Sequence, residues 1–275
     1  MEMAGEYINQ IVKKTWQENS GNSLTPEACE DCGRPFDAIY LPLARKWVHA
    51  TCPCVLENYE REEEERLARE KSDRIKRLFK HSGLPQRFAR CSFENWEERP
   101  GTEKAFAAAY RYAQNLEQNI RDGRGLIIFG PCGNGKSHLA AAITSKAFSA
   151  GKSVIFERVP KLLSRIRSTY DHNSDVTESQ LLSTLGQVEL LVLNDAGAEK
   201  WTQWTEPMLY NIIDERYSWE RSLVITTNAK LSELKDQVGP RAMDRLLEMC
   251  EIEENMGTSY RKEMAHAGRK NTQEH

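Results

Sequence analysis

The stretch that decides the fold is Leu126-Ile-Ile-Phe-Gly130-Pro-Cys-Gly-Asn-Gly-Lys136-Ser137. Its first four residues form the continuous apolar run of a buried strand, and the next eight match the pattern G-x4-G-K-[ST] completely. The residues that follow, His138-Leu-Ala-Ala-Ala-Ile143, predict a helix. A strand, a glycine-rich loop and a helix in this order predict a loop that binds nucleotide phosphates.

Each residue type in this loop has a physical role in phosphate binding. Glycines allow backbone conformations that are closed to other residues, so that backbone N–H groups can point at phosphate oxygens. We expect the lysine charge near the β- and γ-phosphates and the serine hydroxyl on Mg²⁺. The predicted nucleotide-binding residues are Gly130, Gly133, Asn134, Gly135, Lys136 and Ser137.

Three further apolar runs predict strands at 154–156, 190–193 and 223–227. Helical patterns fill the segments between the strands. Apolar strands that alternate with helices predict a parallel sheet covered on both faces, because each crossover must pass over a face of the sheet. The larger part of the chain is therefore predicted to be α/β.

A second motif ends the strand at 190–193 in the polar pair Asn194 and Asp195. A phosphate-loop ATPase needs an acid near Mg²⁺ at this place and another group that orients the attacking water. Asn194 is neutral and lacks the charge that helps to hold the metal. Asp195 must therefore act as the magnesium ligand, as the base that polarises water, or as a compromise between the two, and we expect slow hydrolysis.

Four of the seven cysteines, Cys29, Cys32, Cys52 and Cys54, crowd into one short stretch. In a reducing compartment, a C-x2-C pair on a tight turn followed by a second close pair can wrap a tetrahedral Zn²⁺ ion. The second pair is C-x-C, which is tighter than the usual spacing, and His49 stands three residues before Cys52. A site of four cysteines is predicted, and a site that uses three cysteines and His49 remains the alternative.

Composition and charge narrow the function classes. Hydrophobic residues make up 39% of the 275 residues and charged residues 29%, which excludes a membrane protein or a disordered chain. No uncharged apolar run approaches the ~20 residues that span a bilayer, and the start lacks a secretory pattern, so we expect a cytoplasmic protein without a membrane partner. The net charge of -3 means that any nucleic-acid binding needs a local basic patch.

Composition also predicts the domain boundaries. Residues 57–82 are almost all charged, with i,i+4 pairs of opposite sign, which predicts a solvated helical linker. Ser82-Gly-Leu-Pro85 breaks this helix. We expect a zinc-binding domain at 1–56, the linker at 57–82, the α/β domain at 83–265 and a polar tail at 266–275.

Five stretches together carry a resemblance to a known group. They are Gly130 to Ser137, Asn194-Asp-Ala-Gly-Ala-Glu199, Leu209-Tyr-Asn-Ile-Ile-Asp-Glu-Arg-Tyr217, Ile225-Thr-Thr-Asn228 and Gly239-Pro-Arg-Ala-Met-Asp-Arg-Leu-Leu247. From about residue 82 to 265 the chain resembles the AAA+ ATPases of the bacterial DnaC/DnaI helicase-loader group. The IstB-type transposition helper ATPases share this pattern, but they usually lack a cysteine cluster of the kind found in DnaI-like and phage-type loaders.

The resemblance implies a fold and a function. The fold is an AAA+ (ASCE) P-loop NTPase core with a parallel five-stranded sheet and little or no lid domain. The function is to bind ATP and Mg²⁺, to bind the replicative DNA helicase through the zinc-bearing region, and to load the helicase onto single-stranded DNA with ATP as a switch. The alternatives are a transposition helper ATPase that assembles on duplex DNA, and a nucleotide-gated adaptor that does not hydrolyse ATP.

The resemblance also assigns roles to single residues. Asn228 matches the first sensor, and a polar residue that ends an apolar strand lies at the sheet edge where ligands bind. Arg245 matches the arginine finger that reaches the ATP site of a neighbouring subunit, which implies self-association, and Arg241 lies on the same helical face. Arg261 corresponds to a second sensor. The basic residues after the second strand are candidates for holding single-stranded DNA: Lys161, Arg165 and Arg167.

Overall fold

The computed structural model describes residues 27–36, 38–42, 46–49, 52–79, 84–171, 175–197, 202 and 204–263. The chain divides into two compact units, Met1–Lys71 and Ser72–His275. The segment expected to be a polar tail, 266–275, lies outside the described residues.

The first unit contains two short hairpins. Strands β1 (Glu27–Ala28) and β2 (Pro35–Phe36) pair antiparallel, as do β3 (Ala38–Leu41) and β4 (Lys46–His49). Between β1 and β2 the backbone N–H of Gly33 donates to the carbonyl of Cys29 at 2.8 Å, and Gly33 has a φ of +69°. Only glycine adopts this conformation without steric cost, so it closes the tight turn that carries the first cysteine pair.

Helix α1 (Pro53–Phe79) is a long charged helix that begins between Cys52 and Cys54. Arg66 forms ion pairs with Glu63 and Glu70 along its exposed surface, which is the i,i+3 and i,i+4 pattern of a solvated helix. Its last turns belong to the second unit, where Leu78 and Phe79 are buried in the core. No helix in the described part of the chain is long and apolar enough to cross a membrane.

The second unit is built on a five-stranded sheet. Its strands are β5 (Gly125–Phe129), β6 (Val154–Arg158), β7 (Leu190–Ala196), β8 (Ser222–Thr227) and β9 (Cys250–Glu254). The strand order is β6-β7-β8-β5-β9, and every neighbouring pair is parallel. The predicted parallel five-stranded sheet is confirmed.

Eight helices described in this unit cover the sheet on both faces. They are α2 (Glu103–Gln114), α3 (Leu116–Arg121), α4 (Lys136–Ser149), α5 (Val159–Ser168), α6 (Glu178–Gln187), α7 (Thr205–Ser218), α8 (Leu231–Val238) and α9 (Pro240–Met249). Along β5, Leu126 and Ile128 pack with α2 and α4, whereas Ile127 packs on the other face against α5 to α9. Successive side chains of a strand point to opposite faces, which gives two apolar cores around one sheet.

One buried cation fastens the edge of the sheet opposite the phosphate loop. Arg216 of α7 is fully buried and donates hydrogen bonds to the backbone carbonyls of Leu185, Val188, Glu189 and Ser222. Burial lowers the pKa of its guanidinium to about 9. These bonds tie α6 and the start of β7 to the start of β8, and so they fix the register of the strands that carry the site.

Candidate active site

Eight of the predicted site residues line one cleft at the carboxyl edge of the sheet. The cleft has a volume of about 440 Å³. The predicted residues that line it are Gly133, Asn134, Gly135, Lys136, Ser137, Asp195, Asn228 and Arg261. They come from the ends of β5, β7 and β8 and from the segment after β9, so the fold gathers residues that are up to half the chain apart. Open α/β sheets bind ligands at this edge.

The phosphate loop adopts the glycine conformations that the motif requires. Gly130, Gly133 and Gly135 have φ angles of +139°, +84° and +102°. Gly135 is the N-cap of α4, and Lys136 and Ser137 form its first turn. The N–H groups at the start of α4 are therefore available to phosphate oxygens, and the helix dipole favours negative charge there.

The Lys136 ammonium is held inside this loop. Its Nζ donates to the carbonyls of Gly130 and Pro131 at 2.8 and 2.7 Å and to Oδ1 of Asn134 at 3.1 Å. The residue is only 5% exposed. Burial lowers the pKa of Lys136 from 10.5 to about 8, and nearby Arg261 adds to the effect, whereas Cys132 and Asp195 oppose it. A phosphate group would add negative charge beside the ammonium, whose hydrogen-bond acceptors here are neutral oxygens.

Asn194 and Asp195 have different surroundings. Asn194 is fully buried, and its Oδ1 accepts a hydrogen bond from the Thr226 hydroxyl at 2.8 Å. Asp195 lines the cleft, and its φ of +57° is unusual for a residue with a side chain. The Asp195 backbone N–H donates to the same Thr226 hydroxyl at 3.1 Å. Of the two polar residues that end β7, Asp195 is therefore the one that can reach Mg²⁺ or a water molecule.

Arg158 was not predicted as a site residue, and it lies opposite Asp195. Arg158 ends β6, the strand next to β7, and its Nε lies 3.2 Å from Oδ2 of Asp195. It also lines the cleft. A charged residue at the carboxyl end of a predicted strand was the available signal, but the sequence does not reveal that β6 and β7 are neighbours. The ion pair places a positive charge beside the carboxylate that was predicted to serve the metal or the attacking water.

A second missed group comes from the segment before α2. Trp96 and Arg99 line the cleft, although they lie far from the motifs in sequence. A Cβ atom at Gly135 would come within 2.5 Å of the Trp96 ring, so the loop can pass the ring only with glycine at this position. Trp96 packs edge-on against His138 of α4, whose Nε2 lies 2.8 Å from the carbonyl of Ser92. These contacts make the wall beside the phosphate loop.

Arg245 does not line the cleft of its own chain. It lies on α9, where its Nη2 is 2.6 Å from Oδ1 of Asp214. Its guanidinium also lies over the rings of Tyr210 and Tyr217, with the centroids 5.0 and 5.5 Å away. The exposed Arg241 is one helical turn earlier on α9. The predicted finger is thus placed away from the phosphate loop and is held by an acid and two aromatic rings.

The three basic DNA-binding candidates differ in their availability. Arg165 donates to the carbonyl of Leu78 at 2.9 Å and lies over the ring of Phe79, and its side chain is only 19% exposed. It therefore serves to anchor the end of α1. The Lys161 side chain is 61% exposed although it forms an ion pair, and Arg167 lies over an indole ring. The surface of α5 offers Lys161 and Arg167 rather than all three.

The four clustered cysteines of the first unit form a compact sulfur cluster. The Sγ–Sγ distances are 3.4 Å for Cys29 and Cys54, 3.6 Å for Cys32 and Cys52, and 3.4 Å for Cys52 and Cys54. All four sulfur atoms lie within 4.8 Å of one another. Zn–S bonds of ~2.3 Å in a tetrahedron place the sulfur atoms ~3.8 Å apart. The donor set and its spacing therefore fit Zn²⁺.

The chemistry of the first thiol supports this fit. Backbone N–H groups of Cys32 and Asp31 stabilise the Cys29 thiolate and lower the pKa of Cys29 to about 7, whereas the neighbouring sulfur atoms raise the pKa of Cys54. The thiolate is the form that binds metal, so this turn prepares a ligand. His49 ends β4, but its side chain lies outside the described part of the chain. Four cysteines complete a tetrahedral set without it.

The fold and the cleft define a phosphate-loop ATPase of the AAA+ class. The chain belongs to the family of IstB-like ATP binding proteins, whose model matches residues 57–267. This confirms the predicted ATPase and the resemblance on which it rested.

Similar proteins include several helicase loaders. The chain is 34% identical over 181 residues to the replicative helicase loader DnaC of Buchnera aphidicola subsp. Baizongia pistaciae, which is 66% of this chain and 72% of that protein. It is 34% identical over 174 residues to the replicative helicase loader DnaC of Escherichia coli K12, covering 63% and 69%. The crystal structure of the DnaC helicase loader superposes with a TM-score of 0.56 at 25% identity, covering 62% of this chain and 99% of the other.

Proposed function

We propose that this protein is an ATP-dependent replication factor that binds the replicative DNA helicase and loads it onto single-stranded DNA in the cytoplasm. The observation that carries the proposal is the similarity to replicative helicase loaders, which extends over about 70% of their length. The chain combines this similarity with a complete phosphate loop. Binding and release of ATP are therefore the events that change its contacts with partners.

The proposed role of ATP is that of a switch rather than a steady source of work. Asn194 is buried and neutral, and the acid in the cleft, Asp195, is paired with Arg158. One carboxylate must then serve both the metal and the attacking water, which supports slow turnover. This arrangement also favours the second candidate function, a nucleotide-gated adaptor that binds ATP without hydrolysing it.

We propose separate roles for the remaining regions. The sulfur cluster at Cys29, Cys32, Cys52 and Cys54 would hold one Zn²⁺ and shape the region that binds the helicase. Subunits would associate so that Arg245 of one chain reaches the ATP site of the next. A transposition helper ATPase stays an alternative because the family takes its description from IstB, and the cysteine cluster favours the loader.

The test is direct reconstitution with the host's replicative helicase. We expect the purified protein to form a complex with the helicase. When ATP is present, it should also stimulate the helicase to unwind a tailed oligonucleotide annealed to single-stranded circular DNA. Lys136→Ala should bind the helicase but fail in the ATP-dependent step. If the protein binds ATP but neither binds the helicase nor changes unwinding, the loader proposal is wrong. ATP-dependent assembly on duplex DNA would then support the transposition helper.

A further inference from the structure

The segment that follows β9, residues 255–263, crosses the phosphate loop, and we name it the C-terminal strap. The first residue of the strap is Asn255, and its backbone N–H donates to the carbonyl of Phe129 at 2.8 Å, at the point where β5 ends. Farther along, the Tyr260 N–H donates to the carbonyl of Gly133 at 3.0 Å. The next residue is Arg261, which lines the cleft. The strap therefore runs along the loop and delivers a cation to the site.

The strap and the loop are joined by two side-chain amides. Nδ2 of Asn134 donates to the backbone carbonyl of Asn255 at 2.5 Å, and Nδ2 of Asn255 donates to the backbone carbonyl of Asn134 at 3.2 Å. Both residues are fully buried. Oδ1 of Asn255 in turn accepts the N–H of Gly257 at 3.1 Å, which holds the strap in its turn. Buried amides that lose a partner destabilise the fold, so this reciprocal pair specifies one position of the strap on the loop.

Two glycines of the loop are required by the same contact. A Cβ atom at Gly130 would overlap the carbonyl oxygen of Asn255, and one at Gly133 would overlap the Ser259 hydroxyl. A side chain is disfavoured at both positions on two grounds: each glycine has a positive φ, and each lies against the strap. The loop is shaped for the strap as well as for phosphate.

The pair also contacts the lysine that binds phosphate. Asn134 accepts a hydrogen bond from Lys136 Nζ through Oδ1 while it donates to Asn255 through Nδ2. A second bridge runs through Arg99, whose guanidinium donates to the carbonyls of Asn134 at 3.2 Å and Thr258 at 2.9 Å. When the ammonium moves to a phosphate, Oδ1 of Asn134 loses the hydrogen bond that it accepts from Lys136, and the hydrogen bonds that hold the strap change with it.

We propose that Asn255 is a positioning residue that acts through Asn134, so that the C-terminal strap and the phosphate loop respond together to ATP. The proposal rests on ATP binding at this loop. When ATP binds, phosphate oxygens replace protein oxygens as the hydrogen-bond acceptors of Lys136, and they attract Arg261 of the strap. The amide pair of Asn134 and Asn255 links these two changes. The strap is then the part of the fold that reports whether the site holds nucleotide.

The first measurement is hydrogen–deuterium exchange of the full-length protein with and without the magnesium complex of a non-hydrolysable ATP analogue. We expect the peptide covering 255–263 to exchange at least about threefold more slowly with the analogue. The phosphates would then hold the strap through Arg261, in addition to its hydrogen bonds to the loop. Binding of the analogue is measured separately by calorimetry. If the parent protein does not bind it, the proposed ATP function fails; if it binds and the strap exchanges at the same rate, this inference alone is wrong.

The second measurement is a double-mutant cycle with Asn134→Ala, Asn255→Ala and the combined variant. Each single substitution should weaken analogue binding by about tenfold, as expected for the loss of a buried hydrogen bond that orders the loop. The combined variant should be little worse than either single one, and its strap should no longer respond to the analogue. Met256→Ala is the matched control, since this neighbouring side chain is 69% exposed.

Thermal unfolding of every variant separates a folding defect from lost coupling. Asn255→Asp keeps the acceptor for the Gly257 N–H and loses the donor to the loop, so it tests the coupling if Asn255→Ala does not fold. Additive effects of Asn134→Ala and Asn255→Ala, or a Met256→Ala variant that loses the same response, would overturn the proposal.

Discussion

Lys136 predicts a specific pH dependence of ATP binding. Burial lowers the pKa of its ammonium to about 8 in a site where it has only neutral oxygens as partners. Bound phosphates add negative charge beside the ammonium and raise its pKa again. Only the charged form binds ATP tightly, so above pH 8 the protein must take up a proton when it binds the nucleotide.

The magnitude follows from the size of the shift. Below pH 8, Lys136 is charged before and after binding, and its titration leaves the affinity unchanged. Above pH 8 the affinity should fall by up to ~10-fold per pH unit, since one proton is linked to binding. Folding stability should change in the opposite direction. Between pH 8 and 10.5 the folded protein has lost the Lys136 proton, whereas the unfolded chain still holds it, with its ordinary pKa of 10.5. The free energy of unfolding therefore rises with pH in this range, by up to roughly 3 kcal/mol.

The assay is titration calorimetry of ATP in two buffers of different ionisation enthalpy, at pH 7, 8 and 9. The difference between the buffers counts the protons taken up. We expect a small uptake at pH 7 and close to one proton per site at pH 9. Free thiols ordinarily titrate in this range, so the control is Cys132→Ser, which should leave the uptake unchanged. No proton uptake at pH 9, or uptake that disappears in Cys132→Ser, would refute the reasoning.

Three further predictions concern the metal, the acid and the finger. Cys32→Ser should lose bound zinc, measured by elemental analysis, whereas Cys91→Ser should keep about one ion per chain; equal zinc in both would argue against the cluster. Arg158→Ala should raise ATP turnover about 2- to 5-fold by freeing the carboxylate that it pairs with, and a slower variant would assign Arg158 a direct role instead. Arg245→Ala should keep its ATP affinity but lose ~10³-fold or more of any hydrolysis stimulated by helicase or single-stranded DNA. Part of that activity should return on mixing with Lys136→Ala, and an Arg245→Ala variant that hydrolyses like the parent would exclude a shared site.

The sequence by itself determined the features that depend on neighbouring residues. The phosphate loop could be predicted because glycine conformations, the preceding apolar strand and the following helix are local properties of residues 126–143. The central strands could be predicted for the same reason, since a strand buried on both faces is a short continuous apolar run. Each cysteine pair was visible because its two residues are close in sequence, whereas the contacts between the pairs join residues 20 and 25 positions apart.

Only the tertiary structure decided the contacts between distant segments. Strand β9 has the sequence Cys-Glu-Ile-Glu-Glu, and its charges conceal an edge strand that is recognised only by its pairing with β5. Arg158 meets Asp195 because β6 and β7 are neighbours, and Asn255 meets Asn134 because the chain returns to the loop after β9. Local periodicity encodes which residues are buried but not the order of strands in a sheet. The strand order depends on the packing free energy of the whole unit. It is this order that brings Arg158 to Asp195 and Asn255 to Asn134.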